Sequence, residues 1–207
     1  MGKTALRFVC WLMLLTVPLQ VFAADTVGVL TSTGTVLVDH MAVPANTAVF
    51  SGSVLETSRA SRAVLNGKGS VVVLNENSTL RLGPQLELQS GSVVVSSSNT
   101  VATQVDDVTI TIAPGMHSKF IARKLPGELQ VIAMEGRVYL FDGQETTPVP
   151  ATKGVKVPLG TKGKKTITWL KNDDVGIAIL VGAAVVAGVT VGIINANNAK
   201  PATTSAP

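Results

Sequence analysis

Between residues 25 and 170 the chain repeats one unit, a short run dense in Val, Leu and Ile that ends at Gly, Asn, Ser or Pro. Branched β-carbons lose χ1 freedom in a helix and pack well on a pleated surface, so such runs favour strands. The clearest are Thr35–Asp39, Ser70–Leu74, Thr79–Leu82, Leu86–Gln89, Ser92–Ser96, Val108–Ile112, Lys119–Arg123, Glu128–Met134 and Arg137–Phe141. No stretch of this region shows a 3.6-residue apolar period, so helix is expected only at the two ends.

Four runs share a Gly-x-Val-x-(Val/Leu) opening: Gly34-Thr35-Val36, Gly69-Ser70-Val71, Gly91-Ser92-Val93 and Gly136-Arg137-Val138. Each places a turn residue ahead of a strand whose side chains alternate between faces. Their separations of 35, 22 and 45 residues are compatible with strands stacking in successive coils. The expected fold is therefore all-β, a twisted β-solenoid or β-roll, with a β-sandwich as the alternative and a C-terminal transmembrane helix beyond it. Asn66-Gly67 and Asp142-Gly143 signal hairpin turns. Softer boundaries fall at Ser96–Gln104 and at Thr146–Lys153, where Ser, Asn, Thr and Pro gather.

The two ends carry targeting signals. Lys3 and Arg7 precede the apolar run Val9–Val17, Pro18 breaks it, and Val21-Phe22-Ala23 forms a small-residue cleavage pattern before Ala24. Residues 1–23 thus have the form of a secretory signal peptide, cleaved between Ala23 and Ala24. The single cysteine, Cys10, lies inside it, too early for a lipid-attachment site, so the exported chain is expected to carry no disulfide and no thiolate. Val175 to Ile194 is a run of twenty uncharged residues, the length of a membrane-spanning helix at about 1.5 Å per residue. Ala184, Gly188 and Gly192 recur every fourth residue, a small-residue face on which two helices can approach closely. The lysines cluster before this segment and only Lys200 follows it, against the positive-inside tendency.

Charge argues against a nucleic-acid partner. The chain has 17 basic and 13 acidic residues, and two of the cations leave with the signal peptide. Lys162, Lys164, Lys165 and Lys171 form the one basic cluster, too narrow for a phosphate-tracking surface. Catalytic groups are equally sparse. His40 neighbours Asp39 on a strand, which would point the two apart, and His117 follows a Pro-Gly turn. With two histidines and no mature cysteine, a three-ligand zinc site would need carboxylates from scattered positions. Asp106-Asp107 and Asp173-Asp174 have the look of solvated turns, and no nucleophile elbow is present. No catalytic residue, metal ligand or cofactor is assigned, and the chain is expected not to be an enzyme. Glycan stacking would rest on Trp169 and Tyr139 alone.

The body also resembles the FecR-like domain, the periplasmic module of iron-dicitrate-type sensor regulators, from about Gly34 to Pro158. The resemblance is carried by Ser51-Gly52-Ser53-Val54-Leu55-Glu56-Thr57, by Ser61-Arg62-Ala63-Val64-Leu65, by Ser78-Thr79-Leu80, and by Leu86-Glu87-Leu88-Gln89-Ser90-Gly91-Ser92-Val93. It continues in Ile112-Ala113-Pro114-Gly115 with Lys119-Phe120-Ile121, and in Val131-Ile132-Ala133-Met134-Glu135-Gly136-Arg137-Val138. Regulators of this family place a cytoplasmic sigma-factor-binding segment before a membrane helix. Here a signal peptide occupies the N-terminus, so that role is not carried over.

The resemblance implies an extracytoplasmic all-β module for protein contacts in signalling. The expected organisation is a signal peptide (1–23), a FecR-like domain (24–158), a polar linker (159–174), a transmembrane helix (175–194) and a polar tail (195–207). The expected function is a non-catalytic interaction or signal-sensing module of a bacterial envelope, with another envelope protein as partner. The alternative is a structural protein that forms homo-oligomers through the Gly-rich membrane helix.

Overall fold

The computed structural model describes residues 25–171 apart from 68, 113–114 and 161–164. The expected signal peptide and its cleavage residues Ala23 and Ala24 lie outside these residues, as do the apolar segment with Ala184, Gly188 and Gly192, and the tail. The described residues form seventeen strands and no helix, so among them no helix is long and apolar enough to cross a membrane.

Hydrogen-bonded neighbours define two sheets. Sheet I runs β4 (Thr47–Phe50), β1 (Thr26–Thr33), β6 (Arg62–Gly67), β7 (Ser70–Leu74), the second half of β9 (Leu86–Ser97), β12 (Ser118–Leu125), β13 (Glu128–Glu135), β16 (Lys153–Pro158) and β17 (Thr168–Trp169). Sheet II runs β3 (Met41–Ala42), β2 (Val36–Val38), β5 (Val54–Thr57), β8 (Ser78–Arg81), the first half of β9, β10 (Val101–Val105), β11 (Val108–Ile112), β14 (Arg137–Phe141) and β15 (Thr146–Pro150). Every pairing is antiparallel except β9 with β10. Strand β9 bends from sheet II into sheet I, and the outermost strands pair on one side only. The architecture is all-β and open, not a barrel.

One core fills the space between the sheets. Leu30, Leu65, Val95, Phe120 and Leu129 enter it from sheet I, and Leu55, Leu80, Leu88, Ile110 and Leu140 from sheet II. These positions recur every second residue along each strand, as a pleat requires.

Three corners repeat one device where the chain crosses between sheets. At Gly91 a side-chain carbon would collide with the Ser78 side chain and the Asn77 carbonyl, and φ is +79°, so glycine is required on both counts. The space is taken by the buried Ser78 hydroxyl, which accepts the Ser92 N–H at 2.9 Å and donates to the Glu76 carbonyl at 3.0 Å. Ser61 accepts the Thr35 N–H beside Gly34 at 2.8 Å, and Ser118 accepts the Arg137 N–H beside Gly136 at 3.3 Å. Two kinds of sequence step, Gly-x-Val and Ser-x-(Ala/Leu/Phe), are thus the two sides of one corner. Gly69, the fourth of the expected series, serves a hairpin within sheet I instead.

Several local expectations are corrected. The hairpin expected at Asn66-Gly67 forms between β6 and β7, but its turn comes after these residues: β6 runs through Gly67, which pairs with both Gly28 and Ser70. A side-chain carbon on Gly28 would strike the Asn66 carbonyl, so small residues here let two strands approach. Asp39-His40 is a two-residue turn with φ of 52° and 66° between β2 and β3, which shortens the expected strand Thr35–Asp39. Leu86–Gln89 and Ser92–Ser96 are halves of one strand. Thr146–Lys153 holds strand β15 and the start of β16. The stretch 159–174 also returns to the body where it is described: Lys165 pairs with Asp107, Ile167 packs against the core, and Trp169 pairs with Val155.

Candidate interaction edge

Strand ends with unpaired N–H and C=O groups are the places where a sheet protein meets other chains. Sheet II closes one side with β15, whose Pro148 and Pro150 lie opposite Tyr139 and Arg137. Proline has no N–H to offer, so this strand cannot template a full ladder. The other sheet II edge, β3, and the sheet I edge β17 are two residues long, too short to nucleate pairing.

Strand β4 differs. It carries Thr47, Ala48, Val49 and Phe50, with neither charge nor proline, and it pairs with β1 alone among the described residues. Val49 is buried in the core, whereas Phe50 is 42% and Val29 46% exposed. Ala48 lies opposite Val29, so an apolar shelf flanks an unblocked backbone edge. Nothing in the sequence marks β4 as an edge, because its composition is that of any strand in this chain.

The histidines lie apart from this edge. The His40 Nδ1 sits 2.6 Å from the Glu56 carboxylate on the surface. His117 packs between Ser96 at Nε2 and Ser98 at Nδ1, both at 3.2 Å. Glu135 is 3.6 Å from Nε2, beyond hydrogen-bond length, so it does not fix the imidazole as a catalytic relay would. Asp106-Asp107 form the β10–β11 turn, with Asp106 2.6 Å from Lys124. Trp169 stands on sheet I and Tyr139 on sheet II, so no stacking platform joins them. Among the described residues no group of three or more His, Cys, Asp or Glu is placed to hold a metal ion.

Two charged groups are perturbed. The Asp142 carboxylate accepts the backbone N–H groups of Glu145 at 2.8 Å and Gln144 at 3.0 Å, which holds its pKa below the usual carboxylate value. Desolvation lowers that of Arg62, whose Nε is buried without a hydrogen-bond partner.

Among the described residues, an open two-sheet all-β body with one four-residue edge free of charge and proline is the class the geometry defines. No family model matches the chain, and no curated protein does. Among solved structures, two crystal structures of a "putative anti-sigma factor" from Parabacteroides distasonis ATCC 8503 are similar at 12% identity and a TM-score of 0.48. One match covers 61% of this chain and 64% of that one, the other 59% and 62%. The match thus spans just under two thirds of those chains.

Proposed function

We propose that this chain is a FecR-like, non-catalytic interaction module of a bacterial envelope that receives an extended segment of another envelope protein along β4. The observation that carries the reading is the β4 edge, four uncharged residues that include exposed Phe50 and lie beside exposed Val29, while the longest rival edge holds two prolines. Strand addition draws affinity from main-chain hydrogen bonds and specificity from side-chain contacts at alternate positions. The apolar shelf supplies the second. Export by residues 1–23, attachment by residues 175–194 and a coil-by-coil description of the body belong to the same proposal.

The test is photo-crosslinking in the native envelope from a probe at Ala48 or Phe50, with Thr111 on the outer face of sheet II as control. A discrete adduct from β4 is expected, lost from the Ala48 probe on Phe50→Lys and from the Phe50 probe on Ala48→Lys. Equal adducts from Thr111, or none from β4, overturn the reading.

A further inference from the structure

The two sheets differ on the faces that point away from the core. In sheet II those faces carry Glu87, Gln89, Thr109, Thr111 and Arg137 beside Tyr139 and Phe141, all wholly or partly exposed, the alternation expected of an antiparallel sheet with one solvated side. In sheet I the central strands are apolar on both sides, as Val71-Val72-Val73-Leu74, Val93-Val94-Val95, Phe120-Ile121-Ala122 and Val131-Ile132-Ala133-Met134.

Register aligns the outward members of these runs. Val64 pairs with Val73, Val73 with Val94, Val94 with Ile121, Ile121 with Ile132, and Ile132 with Gly154. The result is an apolar row running across the strands, with apolar Val71 and Met134 beside it on the side of Asn66. On one side Arg62, Ser92, Arg123, Gln130 and Lys156 flank it; on the other are Asn66, Ser96 and Lys119. Although the row faces away from the core, Val73, Val94, Ile121 and Ile132 are only 3%, 1%, 5% and 4% exposed. Val73, Val94, Ile121 and Met134 form an apolar cluster separate from the core.

The described chain ends beside this row. Leu170 donates its N–H to the Gly154 carbonyl at 2.8 Å, and its side chain fills the space beside Gly154 with Ile132. The polypeptide therefore reaches the end of the row just before the twenty uncharged residues Val175 to Ile194. From Val64 to Gly154 the row crosses five interstrand gaps, roughly 24 Å at ~4.8 Å each. Twenty residues as a helix extend about 30 Å. A band of this length suits one rod, and the small face of Ala184, Gly188 and Gly192 lets such a rod lie close to a ridge of branched side chains.

We propose that, in the chain outside a bilayer, residues 175–194 lie as a helix along this row of sheet I, with Val175 near Ile132 and Ile194 toward Thr31. Membrane attachment is then an exchange of the same apolar segment between sheet I and lipid.

The test uses the full chain in detergent-free buffer with Cys10→Ser, a cysteine pair and a short bismaleimide, read by non-reducing gel and peptide mass mapping. Ile132→Cys with Ile177→Cys, and Val73→Cys with Val186→Cys, should give intramolecular links. The exchanged pairs, Ile132→Cys with Val186→Cys and Val73→Cys with Ile177→Cys, should link at least tenfold less. A partner at Thr111→Cys on sheet II reports nonspecific reach, and circular dichroism of each variant confirms that the strands are formed. Links that are only between molecules, links equal for matched and exchanged pairs, or none in folded variants overturn the proposal. The β4 reading stands or falls separately, on adducts from Ala48 and Phe50.

Discussion

A single hydroxyl or hydrogen at the sheet corners decides whether the chain can turn. Ser78→Ala removes the acceptor of the Ser92 N–H and leaves a partly buried donor unmet, a loss of about 1–3 kcal/mol. Gly91→Ala should cost more, about 3 kcal/mol or above, because the new carbon meets backbone as well as the Ser78 side chain. Urea unfolding of both variants measures this order. The opposite sign is expected at Thr103, which is fully buried with a hydroxyl that has no partner. Thr103→Val keeps the shape and removes the unmet group, so it should raise stability by about 1 kcal/mol. Asp142 gives a pH signature. Its folded pKa is depressed, so its contribution is complete above the unfolded value of about 3.9 and is lost as pH falls through the lower folded value. Asp142→Asn should be less stable at neutral pH and show a flatter stability profile between about pH 5 and 2, followed by thermal melts.

Among the elements, the edges carry the argument about partners. Strand β15 is protected by two prolines in a strand whose Val149 is buried. Replacing both with Thr restores the missing N–H groups while keeping strand propensity. The Pro148→Thr, Pro150→Thr variant should therefore self-associate more than the parent at equal concentration, as read by sedimentation velocity. At β4 the parent already lacks such a block, and lysines at Ala48 and Phe50 would add the device that natural edges use. Fold stability should change by less than about 0.5 kcal/mol, since both side chains are exposed.

For the whole molecule, β9 is the element that makes one body out of two halves. It pairs with β7, β8, β10 and β12, and the core combines Leu30 and Leu55 with Ile110 and Leu140 without a break. The boundary expected at Ser96–Gln104 is a short exposed connection between β9 and β10, which belong to this one body. Chemical unfolding of the chain should give one cooperative transition with coincident circular dichroism and Trp169 fluorescence. Two separated transitions would divide the body at that point.

The strand content and its alternation were legible in the residues, because local pairing of branched side chains with turn formers sets them within a few positions. The runs at β7, β11 and β14 coincide with the observed strands. Legible too, though not interpretable, were the continuous apolar runs of sheet I. Which strands lie at an edge, which glycines turn a corner and which let two strands approach follow from contacts between residues tens of positions apart. Gly67 and Gly91 look alike in sequence; they differ because one faces Gly28 and the other faces Ser78. That distinction is long-range, and only the folded sheets make it.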